Sequence, residues 1–213
     1  MTRRAIFLDI DGSYAHHGRV PAAHADAVRA ARAAGHLVLL CTGRPLSLIP
    51  PHLREAGFDG IVAAAGAHVT VADEVLVDTR FPAGLATRAV EALDAHGALF
   101  FLEGPEATHA RPAAVEAMRE YRERHRRGSD GATDLVAALT VAEDLTGVAF
   151  GKITTLHAAS PVHDIAAAIG PEVAVIPSSI PDLGPGAGEI YLADVHKAVG
   201  IAAVVAHLGL NRD

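Results

Sequence analysis

Two carboxylates separated by one residue follow a short apolar run near the start of the chain. The run Ala5–Leu8 is typical of a buried strand, and it leads into Asp9-Ile10-Asp11-Gly12-Ser13. Successive side chains of a strand point to opposite sides, so Asp9 and Asp11 can share one side while Ile10 points away. Gly12 allows the backbone to turn sharply. Two acids this close repel each other unless a cation lies between them, and Mg²⁺ is the simplest candidate.

The first eighty residues alternate between strand and helix patterns. Strands are predicted at residues 5–9, 37–41 and 61–64, followed by a hairpin of strands 68–71 and 75–78 that turns at Asp73. A helix is predicted between Pro21 and Gly35, and an interrupted helix around Pro50 and Pro51. Strand, helix and strand in succession favour a right-handed parallel crossover. The pattern predicts an α/β fold with a doubly wound parallel sheet, whose ligands bind beyond the carboxyl ends of the strands.

The pattern changes at Phe81, where a second unit begins. Helices are predicted there at residues 84–96, 113–127 and 162–169, strands at 98–102, 148–156 and 173–176, and loops around Ser129-Asp130-Gly131 and at 181–188. The strand at 189–192 and the helix at 195–208 resemble the first unit again. We therefore predict a core of residues 1–81 and 188–213 with an inserted α+β cap of residues 82–187.

Polar residues also follow the second strand. Thr42 could hold an oxyanion through its hydroxyl group, and Gly43 could bring its N–H close to the same oxygen. Lys197 opens the last predicted helix, and its amine could neutralise charge during phosphoryl transfer. Arg44 can either contact a substrate or pair with an acid. Lys152, on a strand of the second unit, can either reach the site or have a structural or solvent-facing role.

These residues resemble three motifs of the haloacid dehalogenase (HAD) superfamily phosphatases. The likeness is greatest to the Cof-like subfamily IIB, which has a C2-type α/β cap. The first motif, D-x-D-G-T, is similar to the segment from Asp9 to Ser13, with serine in place of threonine. Thr42 and Lys197 match the second and third motifs, in order and at the expected element boundaries. The resemblance covers the whole chain and implies a HAD-like Rossmannoid core with an inserted cap.

The resemblance implies Mg²⁺-dependent hydrolysis of a small phosphate monoester, such as a phosphosugar, through an aspartyl-phosphate. Asp9 would be the nucleophile, and Asp11 the acid that protonates the leaving oxygen and then the base that activates water. Asp9 and Asp11 would also bind Mg²⁺, and the cap would close over the site and select the leaving group. The residues implied to hold the phosphate are Gly12, Thr42, Gly43, Arg44 and Lys197.

The family's fourth motif, an acidic loop, does not occur before Asp213, and Asp213 is not expected to replace it. We therefore expect a shortened version of a longer protein, in which the first strand has an open apolar edge. Two alternatives stay open. One is a phosphomutase or phosphotransferase that uses the same aspartyl-phosphate, and the other is a catalytically impaired phosphate-binding or regulatory module.

Charge and cysteine content limit the partners. The net charge of −7 argues against a nucleic-acid partner, and the basic cluster at 119–127 is typical of a charged helix face. Cys41 is the single cysteine, which excludes an internal disulfide and fits a reducing compartment. No apolar stretch has the length of a signal peptide core or a membrane span. The sequence predicts a cytoplasmic monomer or homodimer that acts on a small phosphorylated metabolite, without a membrane partner.

Overall fold

The computed structural model describes residues 3–16, 18–72, 74–125 and 135–210. The predicted turn at Asp73 and the predicted loop at Ser129-Asp130-Gly131 lie outside these residues. The chain forms two compact units, and it leaves the first unit after Thr79 and returns to it at Val195. No helix among the described residues is both long enough and apolar enough to span a membrane.

A five-stranded sheet forms the centre of the first unit. Its strands, in spatial order, are β1 (Ala5–Leu8), β2 (Leu37–Cys41), β3 (Gly60–Ala63), β4 (His68–Val71) and β5 (Glu74–Asp78). The first three strands are parallel, and Ala5 lies opposite Leu37 in the register. The last two strands form an antiparallel hairpin that continues the sheet from β3. Both the parallel strands and the hairpin were predicted from the sequence.

Helices cover both faces of this sheet. Helix α1 (Ala22–Ala33) places Val28 in a core with Val38 and Leu40. Helix α5 (Lys197–His207) places Val204 in a second core with Leu39, on the opposite face. The structure therefore confirms the predicted doubly wound α/β arrangement, with the carboxyl ends of β1 and β2 at one edge.

The segment between β2 and β3 differs from the prediction. It contains two 3₁₀ turns, Leu46–Leu48 and Pro51–Arg54, instead of an interrupted α-helix. Pro50 and Pro51 supply no backbone N–H, and Pro50 has extended backbone angles (φ −63°, ψ 149°). Because a residue before proline is disfavoured in the helical region, no α-helical turn can pass through this pair.

The second unit has a six-stranded sheet of its own, packed against helices. Its strands, in spatial order, are β10 (Val173–Pro177), β11 (Gly188–Leu192), β9 (Lys152–His157), β6 (Leu99–Glu103), β7 (Thr108–Ala110) and β8 (Leu139–Val141). Its helices are α2 (Ala83–Ala95), α3 (Pro112–Arg124) and α4 (Val162–Ile169). Leu93 of α2 and Ile165 of α4 share an apolar core with Leu102 and Ile153 of the sheet.

One predicted boundary is wrong. Strand β11 does not return to the first unit, because it pairs antiparallel with both β10 and β9, and Ile190 is buried in the core of the second unit. The first unit resumes at Val195, and α5 spans Lys197–His207. In sequence, β11 followed by α5 resembles any strand–helix unit. Only the pairing partners, β10 directly before it and β9 further back along the chain, decide the unit to which the strand belongs.

Candidate active site

The loop that follows β1 directs the two aspartates and Ile10 to different places. The carbonyl of Asp9 accepts a hydrogen bond from Tyr14 N at 3.1 Å, and that of Ile10 accepts one from Ala15 N at 2.8 Å. Ile10 is fully buried, whereas the Asp11 side chain is 57% exposed. Gly12 has a φ of 80°, which favours glycine over residues that carry a side chain. The loop is therefore a tight turn that leaves both carboxylates accessible.

Lys197 lies against Asp9. Its Nζ donates a hydrogen bond to Asp9 Oδ1 at 3.0 Å, although the two residues are 188 positions apart in sequence. Both side chains are partly exposed, at 40% for Lys197 and 43% for Asp9. Lys197 is the first residue of α5, so the position of its amine depends on where this helix begins.

Two glycines allow α5 to begin close to the end of β3. A Cβ atom on Gly66 would lie 2.6 Å from the carbonyl oxygen of His196, which precedes Lys197. A Cβ atom on Gly200 would lie 2.6 Å from Val62 Cγ1 and 3.2 Å from Gly66 Cα. Neither glycine was predicted from the sequence to contribute to the site. A glycine inside a helical pattern, such as Gly200, is the signal that could have indicated such a close contact.

The turn after β3 also supports the segment that follows β2. Ala64 N donates to the carbonyl of Arg44 at 2.7 Å, and Ala65 N donates to that of Thr42 at 3.0 Å. Ala64 (φ 46°) and Ala65 (φ 55°) both have left-handed backbone conformations, which are unfavourable for alanine. Such strain often occurs beside functional sites.

Thr42, Arg44 and Asp11 form a connected group. Thr42 is buried, with 1% exposure, and its Oγ1 accepts a hydrogen bond from Arg44 N at 3.2 Å. The Arg44 guanidinium donates two hydrogen bonds to the Asp11 carboxylate, from Nε at 2.8 Å and from Nη2 at 2.6 Å. Of the two roles left open for Arg44, the structure therefore shows the pairing with an acid. Gly43 lies between Thr42 and Arg44 in the same segment.

Charges at this end of the sheet are balanced. Each carboxylate has its own cation, Lys197 for Asp9 and Arg44 for Asp11. Cys41, at the end of β2, is buried with 5% exposure. Burial raises the pKa of its thiol, Lys197 lowers that pKa, and Asp9 raises it, with a net upward shift. The thiol is therefore protonated at neutral pH, as expected for an unreactive core residue.

Comparison with known proteins identifies the family. A family model described as haloacid dehalogenase-like hydrolase matches residues 6–213. The chain belongs to this family of hydrolases, which confirms the resemblance drawn from the three motifs.

Individual relatives agree with this assignment. The "Putative phosphatase YkrA" of Bacillus subtilis (strain 168) is 28% identical over 106 residues, which are 48% of this chain and 41% of that protein. The fold is similar to that of the HAD subclass IIB sugar phosphatase BT4131, with a TM-score of 0.75, 18% identity and coverage of 99% of this chain and 77% of the other. It is also similar to the fold of BT1666 from Bacteroides thetaiotaomicron, with a TM-score of 0.72 and 15% identity. That match covers 98% of this chain and 74% of the other. At these identities the solved structures establish the fold.

Proposed function

We propose that this protein hydrolyses small phosphate monoesters, with Asp9 as the nucleophile. The observation that carries the proposal is the 3.0 Å contact between the Lys197 amine and the Asp9 carboxylate, beside the Asp11–Arg44 pair. The named relatives support it, since one is called a phosphatase and another a sugar phosphatase. By that analogy, a phosphosugar or a similar metabolite is the proposed substrate class.

The reaction proceeds in two steps. An Asp9 oxygen attacks phosphorus and the bond to the leaving oxygen breaks, while Asp11 gives that oxygen a proton. Asp11 then takes a proton from water, which attacks the aspartyl-phosphate, releases inorganic phosphate and regenerates Asp9. Asp11 accepts two hydrogen bonds from Arg44, one on each carboxylate oxygen. Arg44 must therefore release at least one Asp11 oxygen before this carboxyl can carry the proton.

Three other groups hold the transferring phosphoryl group. The Lys197 amine lies beside the attacking carboxylate, where it can stabilise the negative charge of the phosphoryl oxygens. The Thr42 hydroxyl and the Gly43 N–H are the proposed hydrogen-bond donors to the same oxygens. The hydroxyl of Thr42 is free to donate, because its bond to Arg44 N uses only an oxygen lone pair.

The donor groups of this site fit Mg²⁺. Asp9 and Asp11 offer partly exposed carboxylate oxygens, and Mg²⁺ is commonly held by one or two carboxylates together with water and phosphate oxygens. When bound, the ion would supply neutralising charge and polarise the phosphoryl group. Within the described part of the chain, no group of three or more His, Cys, Asp or Glu side chains could hold a metal.

The direct test is phosphate release from a generic aryl phosphate, with and without Mg²⁺. We expect Asp9→Asn to lower kcat by at least about a thousandfold, because it removes the nucleophile. Asp26→Asn is the matched control, since Asp26 is a well-exposed acid of α1 that pairs with Arg29, and it should leave kcat unchanged. Equal rates for Asp9→Asn and the wild type would contradict the proposal. Transfer of phosphate to an added sugar instead of water would indicate a phosphotransferase.

A phosphate-binding module is the second candidate. The described residues supply two carboxylates at the site, and each is already paired with a cation. So few acids available for a metal ion favour a protein that binds phosphate without hydrolysing it. Calorimetry with Mg²⁺ and a phosphate mimic distinguishes the two functions. Tight metal-dependent binding without turnover would support the module and exclude the hydrolase.

A further inference from the structure

Two histidines bind the segment that leads from β1 to α1 and carries both carboxylates of the candidate site. The Tyr14 carbonyl accepts a hydrogen bond from His24 Nδ1 at 3.0 Å. The Gly18 carbonyl accepts one from His52 Nε2 at 2.8 Å. His24 belongs to the first turn of α1, and His52 to the 3₁₀ turn Pro51–Arg54 that follows β2. Two separate elements of the first unit therefore hold this segment through imidazole groups.

The acceptors of these bonds determine which nitrogen of each ring is protonated. A carbonyl oxygen can only accept, so the ring nitrogen that faces it must carry the proton. His24 therefore donates from Nδ1–H and His52 from Nε2–H. Both histidines are only partly exposed, so water would replace a lost donor incompletely and the carbonyl would be left with a poorer partner.

Tyr14 links the first of these contacts to the proposed nucleophile. Its N–H donates to the carbonyl of Asp9 at 3.1 Å, while its own carbonyl accepts from His24. The Tyr14 ring is 1% exposed and packs edge-on against Phe58, with ring centroids 5.3 Å apart. Because the core holds the side chain and His24 holds the carbonyl, the N–H of Tyr14 is fixed, and with it the backbone of Asp9.

The second contact joins the segments that follow β1 and β2. Gly18 has a φ of 76° and lies in a tight turn, to which His52 donates from the segment after β2. Arg44 belongs to that same segment and binds the Asp11 carboxylate. The two segments are therefore joined at two points, which together fix how the loop with the aspartates lies against the backbone that carries Thr42.

We propose that His24 and His52 are positioning residues for the hydrolysis proposed above, on which this inference rests. Their N–H groups hold the loop after β1 so that the Asp9 carboxylate lies beside the Lys197 amine. Both act through the backbone of the loop, so they should affect the rate of the chemical steps more than the binding of the phosphate group. A displacement of a reacting group by about 1 Å can cost about a hundredfold in rate.

The test replaces each imidazole by an amide that either keeps or misplaces the donor. Asparagine carries its amide nitrogen on Cγ, as histidine carries Nδ1, and glutamine carries its amide nitrogen one carbon further out, where histidine carries Nε2. His24→Asn and His52→Gln should therefore retain at least about half of the wild-type kcat. The swapped variants His24→Gln and His52→Asn, like His24→Leu and His52→Leu, should lower kcat about tenfold and change KM less than about twofold.

The matched control is His96→Leu, in the second unit. His96 Nδ1 lies 2.8 Å from Ser160 Oγ in a contact that is also partly buried. The change should lower the urea midpoint as much as His24→Leu does, and it should leave kcat unchanged. If the Leu variants at 24 and 52 kept the kcat of the control, or if Asn and Gln were equivalent at both positions, the proposal would be overturned.

Amide hydrogen exchange tests the first contact without any turnover. The N–H groups of Tyr14 and Ala15 bind the carbonyls of Asp9 and Ile10. Their exchange should become at least about fivefold faster in His24→Leu and stay near the wild-type rate in His24→Asn. Unchanged exchange in His24→Leu would overturn the proposal even in an active enzyme. A wild type without turnover would refute the proposed hydrolysis instead, and exchange alone would then decide whether the imidazole holds the loop.

Discussion

At the scale of single residues, the turn after β3 carries the clearest backbone strain. Ala65 has φ 55° and ψ 25°, a left-handed conformation that costs an alanine about 1–2 kcal/mol, whereas glycine adopts it freely. The same turn donates hydrogen bonds to the carbonyls of Thr42 and Arg44. The strain therefore lies in the segment that fixes the backbone of two proposed site residues.

Replacement of Ala65 by glycine tests this strain. Ala65→Gly should leave the free energy of unfolding equal to or above that of the wild type, because relief of strain offsets the greater freedom of glycine in the unfolded chain. Ala34→Gly is the matched control, because Ala34 is exposed and has an ordinary φ of −77°. It should lower the free energy of unfolding by about 0.5–1 kcal/mol. Equal losses in both variants, measured by urea unfolding, would show that the turn is unstrained.

Residues of the candidate site differ in how far the sequence predicts them. Asp9, Asp11 and Thr42 follow strands whose apolar runs are visible locally, and Lys197 opens a helix with a clear pattern. The partner of Arg44 could not be predicted, because a long side chain at a turn can reach several acids. The left-handed turn was also unpredictable, because alanines at 64 and 65 give no sign of a positive φ.

At the scale of elements, the close approach of α5 to the end of β3 fixes the position of Lys197. Gly200→Ala should lower the free energy of unfolding by about 1–3 kcal/mol, since its Cβ would collide with the buried Val62 side chain and approach the Gly66 backbone. It should also lower kcat, because a displaced α5 would move the Lys197 amine away from Asp9. Urea unfolding and aryl phosphate hydrolysis measure the two effects.

The control for Gly200→Ala is Gly84→Ala, in α2. A Cβ atom on Gly84 would have no heavy atom within 4 Å, so this change should stabilise the protein by about 0.4–1 kcal/mol and leave kcat unchanged. If Gly200→Ala stabilised the protein to the same extent, the close packing of α5 would not be what positions Lys197.

The elements themselves were largely predictable from local patterns, and their pairing was not. The strand Leu37–Cys41 and the helix Val162–Ile169 have the predicted bounds, because a continuous apolar run and a helical period are properties of the segment alone. Strands β7 and β8 have three residues each, too few to show an alternation, and they were missed. The assignment of β11 depends on the strands with which it pairs, and its own residue pattern does not identify them.

At the scale of the whole molecule, the second unit contains a buried charge cluster that the proposed chemistry does not use. Lys152 is 2% exposed, which excludes a solvent-facing role, and its Nζ lies 2.9 Å from Glu189 Oε1. The same Nζ lies 3.0 Å from Glu103 Oε2, without the alignment of a hydrogen bond, while Glu103 Oε1 accepts from Thr154 Oγ1 at 2.7 Å. One ammonium group therefore compensates two carboxylates, of which Glu103 is the more deeply buried.

Titration of this cluster should make the stability of the protein depend on pH. Burial raises the pKa of Glu103, although Lys152 and Thr154 act in the opposite direction. Burial lowers the pKa of Lys152, but Glu103 and Glu189 outweigh it and raise that pKa overall. A carboxyl with a raised pKa destabilises the fold when ionised, and this cost disappears as the pH falls through its folded pKa. Lys152 is charged throughout this range, so it contributes its full stabilisation at neutral and acidic pH.

Removal of the ammonium group should therefore be most harmful near neutral pH. Lys152→Met leaves Glu103 buried and unpaired, and it should lower the free energy of unfolding by about 3–5 kcal/mol at pH 7. Acidification protonates Glu103, so the difference between variant and wild type should shrink as the pH is lowered. The double variant Glu103→Gln/Lys152→Met should recover much of the loss at pH 7, because it contains no unpaired buried charge at this position. Thermal unfolding of the wild type, the single variant and the double variant at several pH values measures these differences. If the free energy of unfolding lost in Lys152→Met did not change with pH, lost packing and not charge would account for the effect.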